Sequence, residues 1–327
     1  MASGSGPVPS LSIGNAVSAG FQLYRNNAKQ YLTIALFAVL WSLLPVLVII
    51  ALGVVAAIFY STTQDPTSLT GLLVLAAIAV LVLWVYCIAK SLTNSALISR
   101  LAFGELSSKP ESLADARRFV NSRKWAFLLA KLFVGLIVLG LLLAISVVFS
   151  IVIAVMVAAA GGRSGGSGNP LLAFIMGLLV FGLVLATIGF FTWLGSRLAA
   201  VEVPLAVELE SSATKTINRI WNLTKGNAWS VFLVLLITFC VTIPVYLLAQ
   251  ILSIAPRVLI TILIPSDSDT AVALQVLFGL VSYATGLLLG ILVLPLWQSI
   301  KAVIYYDLRN RQEGFGLQFR DRGEPQV

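Results

Sequence analysis

The chain has 327 residues, 59% of them hydrophobic and only 10% charged, with a net charge of +8. A soluble domain carries roughly 25% charged residues, so an ordinary water-soluble fold is excluded and a bilayer is the solvent that fits. Histidine is absent, which removes the commonest general base and metal ligand; no catalytic residue, metal site or cofactor is expected.

Residues 1–10, MASGSGPVPS, lack the charged start and early apolar core of a cleavable signal peptide. They read as a short disordered tail. Residues 11–28 follow as a first amphipathic helix, with Pro9 and Ser10 or Ser12 as its start signal. Ile13, Val17, Phe21, Tyr24 and Ala28 share one face, and Arg25 and Lys29 gather near its end. That pattern suits a helix lying in the membrane interface; a soluble cap on the bundle is the alternative.

Six apolar segments come next, at 31–60, 70–100, 126–160, 171–200, 230–254 and 271–303. Each exceeds the roughly 20 residues that cross a bilayer. The third would reach roughly 50 Å at 1.5 Å per residue, too long for an upright span. Pro45, Gly140 and Pro244 are expected bends in the first, third and fifth segments. Gly286 and Gly290 form a GxxxG spacing in the sixth. Cys87 and Cys240 lie inside spans without CxxC spacing and read as buried, inert thiols.

The amphipathic helix recurs. A second copy starts at Ser112, where Asp115 completes a capping-box-like start, and carries Arg117, Arg118, Arg123 and Lys124. A third occupies about residues 213–226 and carries Lys215, Arg219 and Lys225. Tyr31, Trp125 and Trp229 mark the junctions of these helices with the odd spans. Lys90, Arg197 and Lys301 lie near the ends of the even spans. The fold class is therefore all-α integral membrane, with six transmembrane helices plus three amphipathic interfacial helices. The units repeat at about 100 residues, as 11–108, 111–210 and 211–315, followed by a tail at 316–327.

Lys90, Arg197 and Lys301 read as side chains that each reach separately to the interface, with a basic ring at one depth as the alternative. Lys131 is expected to reach to water in the same way, and Glu202 to neutralise Arg197 locally. The three loops between odd and even spans hold only Arg163 and Arg257 of the 21 basic residues. Both termini are therefore expected in the cytoplasm. Because the basic residues flank apolar spans, anionic phospholipids are the expected partner rather than nucleic acid; another membrane protein is a further candidate.

Three stretches carry a resemblance. They are AGFQLYRNNAKQYLTIAL from Ala19, VEVPLAVELESSATKTINRIWNLTKGNAWSVF from Val201, and AVIYYDLRNRQEGFGLQF from Ala302. In the second, an acidic residue, a small-residue pair and a basic helix with a tryptophan precede Leu223-Thr224-Lys225-Gly226. In this order they resemble the membrane domain associated with glycerophosphoryl diester phosphodiesterases. The esterase activity of that family belongs to a separate soluble barrel that uses histidine and metal-binding carboxylates. The resemblance therefore implies a bacterial multi-pass protein of the inner (plasma or internal) membrane, not an esterase.

Function is read accordingly as a non-catalytic, lipid-contacting scaffold or accessory subunit. The anionic-lipid contacts would be Arg25, Lys29, Lys90, Arg117, Arg118, Arg123, Lys124, Arg197, Lys215, Arg219, Lys225 and Lys301. A transporter of lipid or a small molecule is the alternative. Mitochondrial-type carriers are disfavoured, because apolar residues follow Pro45 and Pro244 where carriers have an acidic and a basic residue. A membrane-embedded lipid enzyme would have to use Asp307, Arg309, Arg311 and Glu313. Those four read instead as solvated charges, with Asp307 and Arg311 paired one turn apart.

Overall fold

The computed structural model describes residues 12–63, 66–159, 170–209, 211–263 and 269–313. The expected tails, and the loop around Arg163, lie outside the described residues. Every regular element among them is a helix: α1 (Ile13–Asn26), α2 (Ala28–Thr63), α3 (Pro66–Leu106), α4 (Leu113–Ser122), α5 (Lys124–Ala159), α6 (Pro170–Leu198), α7 (Glu202–Val207), α8 (Ala213–Leu223), α9 (Ala228–Leu263) and α10 (Asp269–Glu313). Six of these, α2, α3, α5, α6, α9 and α10, are long and apolar enough to cross a membrane. They give the chain the architecture of a multi-pass membrane protein.

The short helices begin where side-chain caps are available. Ser112 Oγ accepts the Asp115 N–H at 3.1 Å and donates to the Asp115 carboxylate at 2.6 Å, which fixes the first turn of α4. Ser12 caps α1 through Asn15 N–H at 3.3 Å, and Ser212 caps α8 through Lys215 N–H at 3.4 Å. Of the two serines offered by the sequence for α1, Ser12 is therefore the cap. Beyond α8 the chain reverses at Gly226, whose φ of +81° is left-handed and favours glycine.

The longest helices are α3, with 41 residues, and α10, with 45. At 1.5 Å per residue each exceeds about 60 Å, twice the roughly 30 Å of hydrocarbon. The third segment is over-long as the sequence suggests, since α5 has 36 residues, about 54 Å at that rise, but α3 and α10 are longer still. The difference arises because α3 and α10 run on past their apolar stretches into a packed region, where Ala96–Ile98 and Ala302–Tyr305 are buried. The fifth segment is also longer than expected. The apolar run after Ser253 continues α9 to Leu263, so Arg257 lies in helix and not in a loop. Pro45, Gly140 and Pro244 all sit inside helices that continue past them.

Neighbour relations close a ring. α2 packs on α3, α3 on α5, α5 on α6, α6 on α9, α9 on α10 and α10 back on α2, while α3 and α10 also touch across the ring. The buried core sits at one end of it, the end where the described chain starts and finishes. There α1, α4, α7 and α8 pack around the ends of α3 and α10. Away from that end the helices bury little: the most apolar 18 residues of α5 and of α6 contain no buried residue. Leu75, Phe174 and Leu288 are each exposed by 64% or more. At roughly 25 cal/mol per Å² of apolar surface, such exposure would be costly in water and fits a membrane setting.

Two details depart from the sequence reading. On α1, Ile13, Val17 and Tyr24 pack inward, but Phe21 points out and the tight contact is made by Ala16 and Gly20. A Cβ on Gly20 would lie 2.4 Å from Ile300 Cγ1, so only glycine lets α1 lie this close to α10. Gly286 and Gly290 meet no such neighbour. Cys87 is buried as expected, whereas Cys240 faces outward, because its side of α9 is not covered by another helix.

Candidate functional site

The polar chemistry is concentrated at the packed end, in one buried cluster and two clefts. The cluster centres on α7, whose residues Glu202–Ala206 are all buried. Glu202 is held between two lysines from the ring: Lys301 of α10 at 2.6 Å and Lys131 of α5 at 2.9 Å. A carboxylate taken out of water needs such partners. This overturns two expectations. Lys131, though partly exposed, directs its ammonium to Glu202 rather than to water alone, and Glu202 does not neutralise Arg197. Both follow from α7 turning back into the ring and carrying Glu202 away from α6.

The carbonyls at the end of α7 are also held. Arg100 donates to Ala206 O at 2.6 Å and forms two hydrogen bonds, at 2.6 and 2.9 Å, with the Glu111 carboxylate. Arg123 donates to Glu208 O at 2.5 Å and to the carbonyl of Leu209. Both guanidiniums lie over the Phe119 ring, at 3.8 and 4.4 Å from its centre. Burial, and then the neighbouring Arg100 charge, push the pKa of Arg123 below its ordinary value. Arg123, half-buried, is thus engaged by the protein's own carbonyls.

Arg219 is committed as well. Its guanidinium meets Glu208 at 3.1 Å and Glu313 at 2.5 Å, and Glu208 accepts the Tyr305 hydroxyl at 2.5 Å. Burial works against the charge on Arg219, but Glu208, Tyr305 and Glu313 together hold its pKa above the ordinary value. Arg309 and Glu313, and Asp307 and Arg311, pair one turn apart at 3.1 and 2.7 Å, the second pair as the sequence suggests.

The first cleft, of about 260 Å³, lies where α4 crosses α2 and α3. Lys90 and Arg117 supply its charge, and Phe37 and Trp41 its apolar wall. Lys90 Nζ donates to Asn121 Oδ1 at 3.0 Å and stands 5.9 Å over the Trp41 ring. None of the residues around this cleft is acidic. Arg117 also borders a neighbouring cleft of about 400 Å³ that includes Lys29 and Gln30.

The second cleft, of about 550 Å³, lies between α6 and the start of α9. It contains Arg197 among Trp193, Trp229 and Phe232. Arg197 is occupied: it donates to Trp221 O at 2.9 Å and to Thr224 Oγ1 at 3.3 Å, and its guanidinium stacks 4.1 Å from the Trp221 ring. Lys90, Arg197 and Lys301 therefore make no common ring and do not simply reach to water. Each has a different partner, namely Asn121, the end of α8, and Glu202.

Of the remaining expected lipid contacts, Arg25, Lys29, Arg117, Arg118, Lys215 and Lys225 are exposed. Lys124 is half-buried over the Tyr86 ring at 5.0 Å. No protein-family model matches this chain, and no curated protein or solved structure shows a significant match to it.

Proposed function

We propose that the chain is a non-catalytic bacterial multi-pass membrane protein that acts as a lipid-contacting scaffold or accessory subunit, with both termini in the cytoplasm. In this reading α1, α4 and α8 are amphipathic helices at the headgroup level, and three helix–span–span units close around a pseudo-threefold axis. The ring of neighbours supports that symmetry, because each even span packs on the next odd span and on the next short helix: α3 on α5 and α4, α6 on α9 and α8, α10 on α2 and α1. The resemblance to the membrane domain associated with glycerophosphoryl diester phosphodiesterases fits the same picture and rests on its three motifs.

One observation carries the lipid reading. Arg25, Lys29, Arg118, Lys215 and Lys225 are exposed at the same end as the packed core, next to helices whose other ends are apolar on nearly all sides. Basic residues beside an anionic leaflet gain about 1 kcal/mol each. Exposed Trp125 and Trp229, at the starts of α5 and α9, suit the same interface.

The test is the lipid that accompanies the protein out of a mixed bilayer. The wild-type chain, extracted in nanodiscs, is expected to enrich phosphatidylglycerol over phosphatidylcholine. A variant with Arg25, Lys29, Arg118, Lys215 and Lys225 changed to glutamine is expected to lose the enrichment. Equal lipid ratios around both proteins would sink the scaffold reading.

A further inference from the structure

We propose that the cleft between α2, α3 and α4 is a built site for one anionic phospholipid, with its phosphate between Lys90 and Arg117. This rests on the lipid-contacting reading and narrows it from a diffuse basic surface to one stoichiometric site.

Lys90 projects from a span, in a setting where an uncompensated charge is expensive. Among the described residues, Arg100 is matched by Glu111, Arg219 by Glu208 and Glu313, and Lys301 by Glu202, while Arg197, which has no carboxylate, is enclosed by a carbonyl, a hydroxyl and an indole ring. Lys90 has a neutral set of partners: the Asn121 oxygen, which uses one of its three N–H donors, and the rings of Trp41 and Tyr86 at 5.9 and 6.0 Å. Arg117 opens into the same cleft from α4 and is exposed. Glu111 and Asp115, the nearby carboxylates of the α4 region, are taken up by Arg100 and by the Ser112 cap. The cleft thus carries two positive charges and no negative one.

The shape selects the carrier of the missing anion. A free phosphate would need polar groups all round. Here one wall is Phe37, Trp41, Leu97 and Val120. Farther along α2, Leu40 and Leu47 present exposed apolar side chains. A phosphate with an acyl chain attached meets both halves at once: the headgroup between the cations, the chain along α2. Trp41, edge-on to Tyr86 with ring centroids 5.8 Å apart, sits where glycerol esters would lie. The Arg197 cleft lacks this chemistry, since its guanidinium already faces a carbonyl, a hydroxyl and an indole ring.

The experiment is native mass spectrometry of the delipidated full chain, titrated with phosphatidylglycerol, phosphatidylcholine or inorganic phosphate. One phosphatidylglycerol is expected to bind in preference to phosphatidylcholine. K90Q/R117Q is expected to weaken it about thirtyfold, at roughly fivefold for each basic contact. The five-site glutamine variant of the exposed basic residues is expected to retain that single lipid. N121D keeps the fold's shape but sets a carboxylate beside Lys90, and it should weaken the lipid too, which keeps the test valid if K90Q/R117Q does not fold. Undiminished binding by K90Q/R117Q or by N121D overturns the site. If the five-site variant alone then loses anionic lipid, the scaffold reading survives without the site. Equal affinity for phosphatidylcholine overturns recognition of charge. Inorganic phosphate binding as tightly as the lipid overturns the lipid as its source.

Discussion

Replacing Glu202 with glutamine tests whether the buried cluster holds the packed end together. The side chain is 5% exposed and touches Lys301 at 2.6 Å and Lys131 at 2.9 Å. Glutamine keeps the shape and removes the charge, which leaves two ammonium groups facing each other in a poorly solvated site. Breaking a buried pair by removing one partner costs about 3–5 kcal/mol. Lys131 is 34% exposed and recovers part of its hydration by moving outward, so we expect the lower end, about 3 kcal/mol. At roughly 2–4 °C per kcal/mol for a chain of comparable size, the melting temperature in detergent should fall by about 6–12 °C. Circular dichroism during a thermal ramp reads it directly. Lys131→Met should cost less than Glu202→Gln, because Lys301 still balances the carboxylate. A Glu202→Gln protein that melts with wild type, or a Lys131→Met protein that is the less stable of the two, refutes the reasoning.

Gly20→Ala should destabilise by about 1–3 kcal/mol through overpacking against Ile300, and faster hydrogen exchange across Ile13–Asn26 is the readout. Ser112→Ala removes both halves of the α4 cap and should cost about 1 kcal/mol, measured as a lowered unfolding midpoint. Arg219→Gln should lower the melting temperature by a similar amount at every pH between about 6 and 9. The folded state raises the pKa of Arg219, so its contribution is fully present below the ordinary arginine range and is lost only as pH rises beyond it. A gap between the two proteins that closes within that window would show that another group carries the network.

The spans and the helix starts were legible because they depend on local chemistry. An unbroken apolar run suffices for a span, and Ser112 followed by Asp115 suffices for a cap. The overshoot of α3 and α10 was less visible, because past Ser99 and Ile300 the apolar residues share the sequence with polar ones and only packing tells which face is inside. The Glu202 cluster was not legible at all. Lys301 lies 99 residues from its partner, and a lysine near the end of a span looks the same whether it reaches to water or to a distant carboxylate. The signal was Glu202 itself, an acidic residue followed by Val203-Pro204-Leu205 in an apolar setting. Burying it requires cations from other helices. Arg123 is a related case: the Glu208 and Leu209 carbonyls it reaches lie 85 and 86 residues away and leave no mark beside it in the sequence.

Because the core gathers at one end, the six long helices resemble the ribs of an umbrella fixed at its crown. Each rib can change its inclination in the bilayer without disturbing Tyr31, Phe127, Ile220 or Tyr305, which are buried at the crown. Hydrophobic thickness is then matched helix by helix, by tilt. The protein should therefore keep nearly one melting temperature in bilayers of short and long acyl chains, since most of its buried residues gather at the crown.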